Sequence, residues 1–118
     1  MLNIIKIEWG SKKMIRTDYK ENLAKYAPGA GEAHLNTIIK FCGIALKGTD
    51  SQYVSMTDEA EVKRVVDGFA AKKLGLDDAS ARAGMKKVHE DMKAEKTKLR
   101  TTVYYLLAHH TNTLGKLA

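Results

Sequence analysis

The side chains of this 118-residue chain with the chemistry for metal binding or attack on a substrate are four histidines, one cysteine and a short acidic cluster. His89-Glu90 opens like the zinc-binding HExxH pattern, which sets two imidazoles four residues apart on one helix face. The position that must supply the second imidazole is Lys93, so the pattern fails. His109 and His110 are adjacent, point about 100° apart on a helix, and cannot close on one ion. They suit a helix C-terminus, where a cation is favoured. His34 completes the set. Cys42 falls on an apolar stripe and reads as a small core hydrophobe rather than a nucleophile. Asp58, Glu59 and Glu61 fit the first turn of a helix, where the dipole favours anions, better than a calcium loop or a catalytic dyad. There is no G-x-S-x-G, no P-loop and no Gly-rich dinucleotide turn. Pro28-Gly29-Ala30-Gly31 precedes a helix start that is a natural anion site, but Glu32 stands where an anion would sit, so a helix–helix turn is expected. No catalytic residue, cofactor or metal is expected, and the chain is read as a non-enzyme.

The remaining candidates are basic. Lys and Arg number 20 against 14 Asp and Glu, a net charge of +6. The excess is uneven: residues 79–118 carry eight basic and three acidic side chains, whereas residues 57–78 carry four and six. A helix-turn-helix would use the short turn at Gly75, with Ser80, Arg82, Lys86, Lys87 and His89 on its second helix. Asp77 and Asp78 at that helix's N-terminus would repel phosphate. A better nucleic-acid surface is Lys96, Lys98 and Arg100, flanked by Thr97 and Thr101, at the start of the last helix. Tyr104 and Tyr105 are adjacent, so one is expected to line the core. The other is either an exposed aromatic anchor for a partner or a second core-margin residue with a wet hydroxyl.

Five helices must position these residues. Thr17 or Asp18 caps the first, whose inner face carries Tyr19, Leu23 and Tyr26 and which ends at Pro28. The second runs from about residue 32 to 46 along Leu35, Ile38, Ile39, Cys42 and Leu46, with Gly43 inside it where a neighbouring helix approaches closely. Residues 47–56 form an irregular segment from which Tyr53, Val54 and Met56 plug the core. Thr57 caps the third helix, which carries Val62, Val65, Val66, Phe69 and Ala70 and stops at Gly75. Asp77 or Asp78 caps the fourth, with Ala81, Met85, Val88 and Met92 inward. Residues 94–96 break the chain. The last helix begins near Thr97 and carries Leu99, Val103, Leu106, Leu107 and His110; Leu114 and Leu117 extend its face.

The apolar start at Leu2, Ile4, Ile5 and Ile7 is interrupted by Lys6 and Glu8 and is no signal peptide. With no run of about 18 apolar residues and a single cysteine, a cytoplasmic protein without a membrane partner is expected. Met14 offers a second start, so residues 1–13 are read as a weakly ordered extension and residues 14–118 as one domain. The fold class is all-α, a compact single-domain bundle of about five helices.

The strings Phe69 to Leu76 and Lys98 to Ala108, with Asp18-Tyr19, Tyr26-Ala27-Pro28 and Thr57 to Glu61, resemble a family of small bacterial proteins, domain of unknown function family 2853. The resemblance spans about residues 16–118. It implies a bacterial, cytoplasmic helical protein and brings no activity, cofactor or catalytic residue. The leading expectation is therefore a non-enzymatic helical module acting through a protein partner or by self-association. The alternative is a nucleic-acid-binding accessory protein using the basic C-terminal third.

Overall fold

The computed structural model describes residues 16–43, 46 and 51–117. The expectations placed on residues 1–13 and at Met14 lie outside the described residues. Five α-helices and a two-residue β ribbon make up the framework: α1 (Arg16–Ala24), α2 (Glu32–Cys42), β1 (Tyr53–Val54), α3 (Glu59–Val65), α4 (Asp78–Asp91), β2 (Lys98–Leu99) and α5 (Arg100–His110). The mostly-α single domain expected from the apolar periodicity is what forms.

Helix α5 is the axis of the core. Every residue from Thr101 to Ala108 is buried, which requires cover on all sides. Helices α1, α2, α4, the segment after α3 and the ribbon supply it. The closest approach is to α4: a Cβ on Gly84 would lie 2.7 Å from Leu107 Cδ1 and 2.8 Å from Thr111 Cγ2. A side chain there would force the ends of Leu107 and Thr111 to shift. Gly43, by contrast, meets nothing within 4 Å and has φ +49°. It ends α2 rather than sitting inside it, correcting the longer helix expected to residue 46. At such a φ a side chain is strained, so glycine is the natural stop.

The third helix starts at Asp58, not Thr57: the Asp58 carboxylate accepts from the Ala60 amide at 3.0 Å. Beyond Val65 it widens into a π-helical segment, Val66–Lys73. The Leu74 amide, for example, bonds the Phe69 carbonyl five residues back at 3.1 Å. The wider turn lets Phe69 and Leu74 both reach the core, each 1% exposed. Phe69 stacks on Tyr104 at a centroid distance of 4.1 Å, and Phe41 meets Phe69 edge-on at 5.3 Å. Gly75, at φ +70°, closes the segment, and Asp77 caps α4 by accepting from the Ser80 amide at 2.7 Å.

The last helix does not begin near Thr97. Lys98 and Leu99 instead pair antiparallel with Val54 and Tyr53, so the segment expected to be irregular contributes one strand of a ribbon. Leu114–Leu117 is a short 3-10 turn with Leu117 fully buried. Cys42 is buried, and burial pushes its thiol up to about 12, so the thiolate that would react is strongly disfavoured at neutral pH.

Candidate functional site

An open cleft of ≈ 830 Å³ lies between the ribbon, the start of α3 and the C-terminal end of α4. Its walls differ. On the α3 side stand Asp58, Glu61 and Arg64; on the other stand Lys96, Lys98 and Arg100, with Ser55, Thr57 and Thr97 hydroxyls between and His89 at one end.

Arg100 fixes the ribbon wall. Its Nε donates to the Ser51 carbonyl at 2.8 Å, one terminal nitrogen to the Tyr53 carbonyl at 3.2 Å, and the other to the Tyr104 hydroxyl at 3.1 Å. Its backbone amide donates to the Gln52 carbonyl at 2.7 Å. The guanidinium also lies 3.5 Å from Glu61, with its side chain only 12% exposed. Glu61 in turn accepts from Arg64, so one carboxylate bridges two guanidinium groups. Lys98 is 7% exposed. Its ammonium donates to the Glu95 carbonyl at 2.6 Å, which folds the 92–97 turn onto the strand.

That turn is held from the far side as well. The Glu95 carboxylate accepts from the Tyr26 hydroxyl and, at 3.1 Å, from the Asn22 side-chain amide. Asn22 then accepts from the Thr102 hydroxyl at 2.6 Å. Burial, reinforced by the bond to Glu95, pushes the Tyr26 phenol up to about 12, so it stays a donor at neutral pH. Helix α1 thus fixes the turn that carries Lys96 and Thr97 to the rim, where both are exposed.

The basic residues singled out in the sequence are therefore split. Lys98 and Arg100, expected on a surface, face inward: Lys98 donates to the Glu95 carbonyl, and Arg100 to the Ser51 and Tyr53 carbonyls while pairing with Glu61. Tyr104 and Tyr105 are each 6% exposed: neither is an exposed anchor, because α5 is enclosed all round. Tyr104 donates no wet hydroxyl to solvent but accepts from Arg100. Arg82 is tied to Glu59 at 2.8 Å and to Asp78 at 3.0 Å. Lys86, Lys87 and Lys96 are exposed. Of these, Lys96 lies on the cleft, and Lys86 lies on a neighbouring hollow. Arg64 and His89, which the sequence did not single out as cleft residues, line it. Their one signal was a basic or titratable residue between apolar positions of an amphipathic helix. His109 and His110 do close the last turn of α5, and His110 pairs with Asp91. No group of three or more His, Cys, Asp or Glu able to hold a metal ion occurs among the described residues. Nor is any helix among them long and apolar enough to cross a membrane.

A small, mostly-α domain with a polar cleft beside a two-stranded ribbon is thus the class of protein these features define. The chain belongs to the family described as protein of unknown function (DUF2853), whose model matches residues 18–115. No curated protein matches it.

Proposed function

We propose that this chain is a non-enzymatic interaction module that takes an acidic protein segment in the cleft beside the ribbon. The observation that carries the reading is the exposed Lys96, with the Arg64 guanidinium exposed on the opposite wall although shared with Glu61, set around a cleft whose own carboxylates are engaged. Asp58 caps α3, and Glu61 is held by Arg64 and Arg100. A second copy of the chain carries the same +6 excess, so charge complementarity favours an acidic partner over self-association.

A nucleic-acid partner is the second reading, supported by the exposed Lys86, Lys87 and Lys96. Weighing against it, Lys98 and Arg100 spend their donors within the fold, and Arg82 is neutralised by Glu59 and Asp78. The test is fluorescence anisotropy with a labelled Glu-rich peptide and a labelled single-stranded oligonucleotide, each at low and high salt. Tighter binding of the peptide, lost in the Arg64→Glu, Lys96→Glu double variant, is the expected result. Oligonucleotide binding that outranks the peptide and falls steeply with salt would favour phosphate recognition instead.

A further inference from the structure

Next to the cleft, between α3 and α4, lies a second hollow of ≈ 230 Å³. The two share Met56 and His89 in their linings and so adjoin; together they are the groove. Their chemistry differs. The cleft is polar, whereas the smaller hollow is floored by Met56, Val62 and Met85. Met56 and Val62 are only partly buried although they pack against the core. At about 300–1,000 Å³, sites for drug-sized molecules are larger than this hollow. It has room for one apolar side chain. Methionine is unbranched and polarizable, and it repacks around differently shaped partners. The one carboxylate on its rim, Glu59, is already held by Arg82, whose hydrogen bond keeps it below the usual carboxylate range. Lys86 stands on the same rim.

We infer that the groove recognises a peptide segment in which one apolar side chain is flanked by carboxylates, the apolar group seated on Met56 and Val62 and the carboxylates on Lys96, Arg64 and Lys86. The inference rests on the reading of the cleft as an acid-binding site and adds the anchor that would give it specificity. Charge alone steers a partner to the surface; a buried apolar anchor sets register and residence time.

The test uses the full chain and three labelled peptides: one of Glu and Gly, the same peptide with one central Leu, and a neutral Gly/Ser peptide with that Leu. Binding is read by anisotropy for the wild type, Met56→Gln and Val62→Thr, with folding checked by circular dichroism. Burying a Leu side chain corresponds to about a tenfold to hundredfold gain in affinity. The Leu-bearing acidic peptide is expected to gain at least about tenfold over the Leu-free one. Val62→Thr, which lies outside the cleft, removes most of that gain and leaves the Leu-free peptide unchanged; Met56→Gln also removes most of the gain. If the acidic peptides bind equally, or the gain survives both variants, the anchor is wrong and the acidic cleft stands. If the neutral Leu peptide binds as tightly as the acidic one, the pairing of charge with anchor is wrong. If no acidic peptide binds, both readings fall.

Discussion

Helix α4 turns one side to α5 and the other to the groove, and the two sides are built on different terms. Toward α5 the contact is dry and close, with Gly84 removed of any side chain so that Leu107 and Thr111 can approach. Val88 and Met92 on that helix are fully buried. Toward the groove, Arg82, Lys86 and His89 meet polar residues or solvent across an open hollow. A close-packed face feels even one added methyl, whereas a face made of long flexible side chains can reshape around something else. The comparison teaches where stability and recognition reside: the α4–α5 contact holds the domain, and the opposite face is left adaptable.

The sharpest way to break that comparison is at the core. Phe69→Ala removes a side chain that is 1% exposed and stacked on Tyr104. Lost transfer energy plus a cavity should cost about 3–5 kcal/mol, measured by chemical denaturation. Against a typical total of about 5–15 kcal/mol, such a variant is close to the limit of folding. A wild-type midpoint would mean that the π-helical segment does not pack on α5.

Arg100→Ala tests the boundary between the two regions. It strips charged hydrogen bonds from the Ser51 and Tyr53 carbonyls, with an expected loss of about 1.5–3 kcal/mol. Hydrogen exchange should quicken in the ribbon while the α4–α5 amides stay protected. Uniform quickening would show that the ribbon and core unfold as one unit. Gly84→Ala tests the close face from the opposite direction. Overpacking costs about 1–3 kcal/mol, partly offset by the roughly 0.8–1 kcal/mol that alanine gains over glycine in a helix. A small net loss in midpoint is expected; a rise would mean Leu107 and Thr111 give way freely.

The smallest effect is in acid. Asp77, through the Ser80 amide, and Glu59, through Arg82, are held below the usual carboxylate range. Their contribution is present at neutral pH and fades as pH drops through the depressed folded-state values, since the unfolded state then binds protons first. Both groups are exposed, so thermal midpoints should fall only shallowly there, and less in Asp77→Ala.

Much of this architecture was readable along the chain. Leu35, Ile38 and Cys42, or Ala81, Met85 and Val88, repeat at helical steps and do face inward; Asp77 and Gly75 punctuate α4 and the segment before it as their chemistry predicts. The ribbon was hidden because two-residue strands are too short to show an alternation. The π-helical widening was hidden because Val62, Val66 and Phe69 satisfy an ordinary helical stripe equally well. The candidate site was half legible. Lys96 and Lys86 sit at the surface as basic residues do by default, but Lys98 was turned inward by pairing with Val54, and the fate of Arg100 was decided by carbonyls and a carboxylate brought from far along the chain. Spacing on the last helix carries no trace of those partners. The same holds for Tyr104 and Tyr105, about 100° apart on the helix, whose joint burial requires neighbours around much of it.

The most direct measurement is an amide chemical-shift titration of the full chain with the Leu-bearing acidic peptide. Shifts concentrated at Met56, Val62, Arg64, Lys86, His89 and Lys96, with the α4–α5 contact around Gly84 and Leu107 undisturbed, are the predicted result. Shifts centred on Phe41, an exposed hydrophobic residue edge-on to Phe69, would contradict the assignment of recognition to the groove.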